Sequence, residues 1–161
     1  MAVVAALVAT SPFVGQTAVA VPPTPPTASK SRAHLKSLKV AAPGSSAGFS
    51  REQFGGGWAS LGESCDVRER VLIRDGRNVK VGERCRPTSG RWRSIYDGKI
   101  IRRAARVDID HVVPLAEAWH SGAGAWNADQ RERFAKDLVD PQLIAVSASS
   151  NRSNGDQDPA E

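Results

Sequence analysis

Val107-Asp108-Ile109-Asp110-His111-Val112-Val113-Pro114 is the stretch on which the fold turns. Val107 and Ile109 alternate with Asp108 and Asp110, the period of two that marks a half-buried strand, and it sets both carboxylates on one face. A histidine directly after Asp110 lies on the opposite face unless the strand twists or ends there. Pro114 lacks a backbone N–H and so favours such an ending. The residue types suit hydrolysis: an Asp carboxylate is a hard oxygen ligand for Mg²⁺, and a His with an ordinary pKa near 6.5 takes a proton from water around neutrality. Alone, an Asp-His pair is equally what a polar strand end shows, so its meaning depends on the rest of the chain.

Working outward, a strand is predicted over Arg106–Val112, with Pro114 at the first position of a helix at Leu115–Trp119. Ser121-Gly122-Ala123-Gly124 separates it from a second helix over Trp126–Leu138. Gln142–Val146 reads as a buried strand, and Ser149 or Ser150 caps a last helix. Upstream, Asp97-Gly98 between Ile95-Tyr96 and Ile100-Ile101 reads as a hairpin. Val79-Lys80-Val81 alternates like a strand, and Val71-Leu72-Ile73 reads as another behind a helix at Cys65–Arg70. This is an α+β chain of short elements.

Among 161 residues, 22 Lys and Arg face 17 Asp and Glu, a net charge of +5, with 40% hydrophobic and 24% charged residues. These values fit one ordinary globular domain and exclude a disordered polyelectrolyte or a membrane bundle. The charge is uneven. Residues 1–50 hold four bases and no acid, residues 63–107 hold 13 bases and 6 acids, and residues 108–161 hold 4 bases and 10 acids. A basic segment before an acidic one matches a phosphate-facing surface beside a cation-binding cluster, or two solvated faces that attract each other.

Residues 1–20 read as a secretory signal: the apolar run Ala2–Ala9 is too short to span a bilayer, and Ala18-Val19-Ala20 supplies small residues for cleavage. The chain is therefore expected to be secreted, with no stable membrane insertion and no lipid anchor at the cleavage site. Residues 21–48, rich in Pro, Ser and Ala, read as a semi-extended tether. Within it Ser31–Val40 is taken as solvated linker, with a short basic helix as the alternative. Residues 49–161 form the folded domain. Cys65 and Cys85 are the only thiols; in an exported chain they are expected to form a disulfide, since no further metal ligands of suitable spacing accompany them. There is no internal repeat, no phosphate-binding Gly-rich loop with a Lys, no Gly-x-Ser-x-Gly elbow and no paired Cys-x-x-Cys, which removes nucleotide triphosphatases, serine hydrolases and zinc ribbons.

Forty residues after His111 comes Ser149-Ser150-Asn151-Arg152-Ser153-Asn154-Gly155-Asp156-Gln157-Asp158-Pro159. The order D-x-D-H-V-V-P, spacer, strand, S-N-R-x-x-G-D-x-D-P resembles the HNH endonuclease superfamily with its ββα-metal core. More narrowly, it is similar to secreted bacterial HNH-type proteins that share the C-terminal domain of GmrSD-type modification-dependent restriction enzymes. Arg51-x-x-Phe54-Gly55-x-x-Trp58, Cys65-Asp66-x-Arg68 and Pro114-Leu115-Ala116-Glu117-Ala118-Trp119, with Gly122-Ala123 and Trp126, extend the resemblance over residues 49–161.

The resemblance implies a metal-dependent nuclease acting on DNA, or RNA, with Mg²⁺ or Mn²⁺. His111 takes the place of the general base, Asp110 that of a metal ligand, and Asn151 that of the central Asn, as ligand or as the group orienting the His loop. Arg152 and Arg68 are candidates for the cation at the phosphate, and Arg102 and Arg103 for substrate binding. Asp108, Glu117, Asp156 and Asp158 are candidates for supporting the metal shell, although a Gly-Asp-x-Asp-Pro turn more often uses the last two to cap backbone donors. Two departures stand out: Asn154 occupies a position where this family usually has Lys, and relatives continue past Glu161, so a truncated C-terminal end is expected. The Asn154 departure supports an alternative, a catalytically impaired HNH scaffold binding nucleic acid or the cell envelope. A small-molecule phosphodiesterase is a third reading.

Overall fold

Thr27 starts the first element by accepting a hydrogen bond on Oγ1 from the Lys30 amide, and the helix formers that follow carry α1 over Ala28–Ser37. The helix has no buried residue. The linker expected at Ser31–Val40 is thus helical through Ser37, because Ala, Lys, Arg and Leu sustain a turn once it is capped. The computed structural model describes residues 22–62 and 64–155; the signal expected at 1–20 and the acids Asp156 and Asp158 lie outside them.

Asp66 and Glu69 form a reciprocal capping box, Asp66 Oδ1 accepting from the Glu69 amide at 2.7 Å and Glu69 Oε2 from the Asp66 amide at 2.9 Å. It launches α2, Val67–Asp75. The strand expected at Val71–Ile73 is therefore the interior of a helix: Val67 and Val71, four apart, are buried together with Leu72. Cys65 and Cys85 are joined, with 5.1 Å between Cα atoms, across 20 positions. Glu69 lies close to both sulfurs, yet it is committed to the capping box and the sulfurs to each other. Opening a loop of that length costs about 3 kcal/mol in the chain-entropy account. Urea unfolding with and without reductant is expected to differ by that amount.

β1 (Arg77–Val81), β2 (Pro87–Arg93) and β3 (Ile100–Arg103) form an antiparallel sheet in that order. The expected hairpin is present, but its first arm is β2 and not Ile95-Tyr96; Gly98 takes the left-handed conformation, φ 68°, in the connection. Trp92 explains why so polar a segment is a strand. Its ring is fully buried, its Nε1 donates to the Leu72 carbonyl at 2.8 Å, and it packs so closely on Gly76 and Gly90 that a Cβ on either would lie within 3 Å of it.

β4 (Val107–His111) begins after a 3₁₀ turn at Ala104–Arg106 and ends at the histidine. α3 (Leu115–His120) and α4 (Ala128–Ala135) follow. Pro114 is the cap preceding α3, one position earlier than expected. β5 (Leu143–Ser147), buried at every position, returns antiparallel to β4 from Leu143 opposite His111 to Ser147 opposite Val107. α5 (Ala148–Asn154) leaves directly from it, capped by Ser147 Oγ and not by Ser149 or Ser150.

Two apolar clusters result. One joins α2, β2, β4 and β5 through Val71, Leu72, Trp92, Val107 and Leu143; the other gathers Phe54, Leu115, Ala118, Ala123 and Ala135, with Phe49, Trp119 and Phe134 against it. Among the described residues no helix is long and apolar enough to cross a membrane.

Candidate functional site

His111 sits at the seam between the two clusters. Its ring stacks on Trp58, which packs against the first, at a centroid distance of 5.9 Å and 11° between planes. Its Nε2 lies 2.9 Å from the carbonyl of Ala135, in the second. A carbonyl only accepts, so Nε2 carries the hydrogen and Nδ1 keeps its lone pair. Burial lowers the pKa of His111 from its ordinary value, against the upward pull of the Ala135 carbonyl and of Asp110; Arg51 lowers it further. The neutral ring, able to accept a proton, is the form favoured at neutral pH.

Asp110 precedes it on the other face of β4. Burial pushes its carboxyl pKa up, while Tyr96, His111 and Arg51 pull it down. The Tyr96 hydroxyl donates to Asp110 Oδ2. Tyr96 itself is driven well above the ordinary phenol range, by burial first and then by Asp110, so it remains a donor.

Asp108, two residues back on the same face, accepts from Arg152 Nε at 3.1 Å and Nη2 at 3.2 Å, and from Asn151 Nδ2 at 3.4 Å. This bonding fixes the amide of Asn151: a carboxylate accepts only, so Nδ2 faces Asp108 and Oδ1 faces elsewhere. The first strand of the pair thereby orients the helix that follows the second. Asp97 adds another tie, accepting from Ser147 Oγ at 2.8 Å and Lys99 Nζ at 2.9 Å, bonds that hold its carboxyl well below the usual range.

Arg51, Asp110, His111, Asn151 and Arg152 line one cavity of about 250 Å³. Arg51, His111 and Leu115 also border a second, of about 220 Å³, which Trp58 and Lys136 line as well. The remaining sequence candidates stand elsewhere. Arg68 gives Nη2 to the carbonyls of Ala104 at 3.3 Å and Val107 at 3.1 Å, tying α2 to the start of β4. Glu117 meets His120 Nδ1 at 3.3 Å and does not line the cavity. Arg102 and Arg103 are exposed on β3. Three residues without an assigned role now have one: Arg51 and Trp58, which the R-x-x-F-G-x-x-W pattern marked, and Tyr96, which had no signal beyond being the only tyrosine.

The arrangement defines a class: a strand–strand–helix unit whose first strand ends in Asp-His and whose helix presents Asn-Arg, around a cavity flanked by cations. The sequence profile of the GmrSD restriction endonucleases, C-terminal domain, matches residues 74–161, and the chain belongs to that family. A protein of Arthroderma benhamiae described as an uncharacterized secreted protein is 48% identical over 141 residues, covering 88% of this chain and 69% of that one. No solved structure matches significantly.

Proposed function

We propose that this chain is a secreted, metal-dependent HNH-type endonuclease that hydrolyses phosphodiester bonds in nucleic acid, DNA foremost, with β4, β5 and α5 as its ββα-metal core. The observation that carries this reading is the convergence of Asp110 and His111 with Asn151 and Arg152, forty residues apart in sequence, on one cavity. The family supports nuclease chemistry, and the secreted relative supports the compartment.

The donor set fits a hard divalent cation. The Asp110 carboxylate and the Asn151 Oδ1 that faces away from Asp108 are both oxygens, and Mg²⁺ commonly takes only one or two protein ligands and keeps waters for the rest. When bound, Mg²⁺ or Mn²⁺ supplies polarisation of the phosphate and positive charge for the leaving 3′ oxygen. The chain's own residues do the rest. His111 Nδ1 takes the proton of the attacking water, and its Nε2–H on the Ala135 carbonyl keeps the ring in the tautomer that permits this. Arg51 and Arg152 flank the cavity and offset the charge that accumulates on the phosphate. Tyr96 steadies Asp110, and Asp108 steadies Asn151.

The test is digestion of supercoiled plasmid by the mature protein with Mg²⁺, Mn²⁺ or EDTA. Nicking with either metal and none in EDTA is expected; metal-independent nicking overturns the reading. Asp108→Asn is expected to raise the Mg²⁺ concentration for half-maximal cleavage by about 10- to 100-fold, the usual effect of losing a group that orients a ligand. A metal titration checks it.

A second reading has one observation behind it. Asn154 ends α5 where the family usually has Lys, which favours a scaffold that binds nucleic acid or the cell envelope without turnover. Tight DNA binding with no cleavage in any metal decides for it.

A further inference from the structure

A concavity of about 860 Å³ is separate from the one around His111. It lies beside it, between β3, the 3₁₀ turn that follows and the start of α5, and Arg152 borders both. We infer that this groove seats the sugar–phosphate backbone of a nucleic-acid strand and leads it to the catalytic cavity, reading charge and not base identity. The inference rests on the nuclease reading above and specifies how such a substrate is held.

Charge is the first argument. Lys99, Arg102, Arg103, Arg106 and Arg152 line the groove, and no acidic side chain among the described residues does. From Arg51 onward the chain has 18 bases and 17 acids, so a wall of five cations, two of them paired with Asp97 and Asp108, is still a local segregation. It is what contact with a row of phosphates requires. Sheet topology is the second argument. Among the described residues β3 pairs with β2 alone, which makes it an edge strand, and its residues Ile100–Arg103 line the groove. An edge strand carries backbone N–H groups that no neighbouring strand takes up, and these add uncharged donors for phosphate oxygens.

Stacking platforms for unpaired bases are aromatic, and no aromatic side chain among the described residues lines this groove. Contacts restricted to phosphates position a strand without carrying sequence information. Arg152 links the two sites: its guanidinium is held on Asp108, in the same clamp that orients Asn151, while the side chain is 73% exposed. A strand lying along β3 therefore meets, at Arg152, the residue next to the catalytic Asn151.

The test separates binding from cleavage by using His111→Ala in the full chain with a fluorescent duplex and anisotropy readout. Adding Arg102→Gln and Arg103→Gln is expected to weaken binding at least about tenfold at low salt. It should also flatten the slope of log Kd against log salt by about 1–2 units, the loss of two phosphate contacts. Arg77→Gln with Lys80→Gln removes the same charge from β1, at the opposite edge of the sheet, and is expected to leave both quantities nearly unchanged. Exchanging A·T for G·C pairs in the probe should not alter Kd. Equal weakening by the two pairs, or a marked dependence on base composition, overturns the groove. If the wild type never cleaves while the groove pair still selectively loses affinity, the groove stands and the nuclease reading falls. If the wild type cleaves and the groove pair binds normally, the reverse holds.

Discussion

His111→Ala is expected to lower plasmid cleavage by about 10²- to 10⁴-fold, the range contributed by a positioned general base, with the fold retained. The histidine is attached to the scaffold by two contacts: its Nε2–H on the Ala135 carbonyl and its stacking on Trp58. Neither is needed to pair β4 with β5, which is a backbone register. The pH profile supplies an independent readout. In the proposed mechanism cleavage depends on the neutral ring, so the rate is expected to rise with pH and level off once His111 has lost its proton. Burial lowers that pKa, placing the acid limb of the profile below the ordinary 6.5. The sign for stability is the same: the unfolded chain binds the proton more readily than the folded one, so His111 costs stability as pH falls below about 6.5. Equal rates for wild type and His111→Ala would remove the histidine from the mechanism.

The second large effect is on stability. Asp75→Ala is expected to cost about 3–5 kcal/mol, the penalty for leaving one member of a buried pair without the other. The Asp75 side chain is 3% exposed and accepts from Arg74 Nε at 2.6 Å and from the Ala145 amide at 2.9 Å. Arg74 in turn donates to the carbonyls of Leu138 and Leu143. Two adjacent residues at the end of α2 thus anchor β5, and β5 carries α5 with Asn151 and Arg152. Truncation strands the Ala145 N–H and removes the carboxylate partner of the Arg74 guanidinium, whose side chain is 19% exposed. Asp75→Asn keeps one acceptor and is expected to cost less. Urea denaturation measures both; a loss below about 1 kcal/mol for Asp75→Ala would mean that β5 is held by apolar packing alone.

Local patterns made much of this molecule readable. Alternation in Val107–His111 and the apolar run before Ser147 marked the paired strands, because each lies against the core and its side-chain pattern reports that directly. One element was misread and another carried no readable signal. Val71-Leu72-Ile73 has strand-like residues but continues a helix already started by the Asp66–Glu69 box. Pro87–Arg93 has a loop-like composition but forms the central strand because Trp92 is buried against Leu72, twenty residues away. Propensity yields to packing in both.

The sequence by itself determined which groups of the proposed site are present and in what order: Asp110-His111 at a strand end, Asn151-Arg152 in the last helix, and the family to which they belong. Those are covalent facts, or consequences of neighbours a few bonds away. Only the tertiary structure decided how each is used. It set Asp108 against Asn151 and Arg152, set the Tyr96 hydroxyl on Asp110, brought Arg51 to the cavity, and turned Arg68 toward backbone carbonyls. It also sorted the basic segment before the Asp-His pair into a groove on β3 and an unrelated edge on β1. The reason is physical: a guanidinium's role depends on which acceptors lie within about 3 Å of it, and contacts between residues forty or more positions apart exist only once the chain has folded.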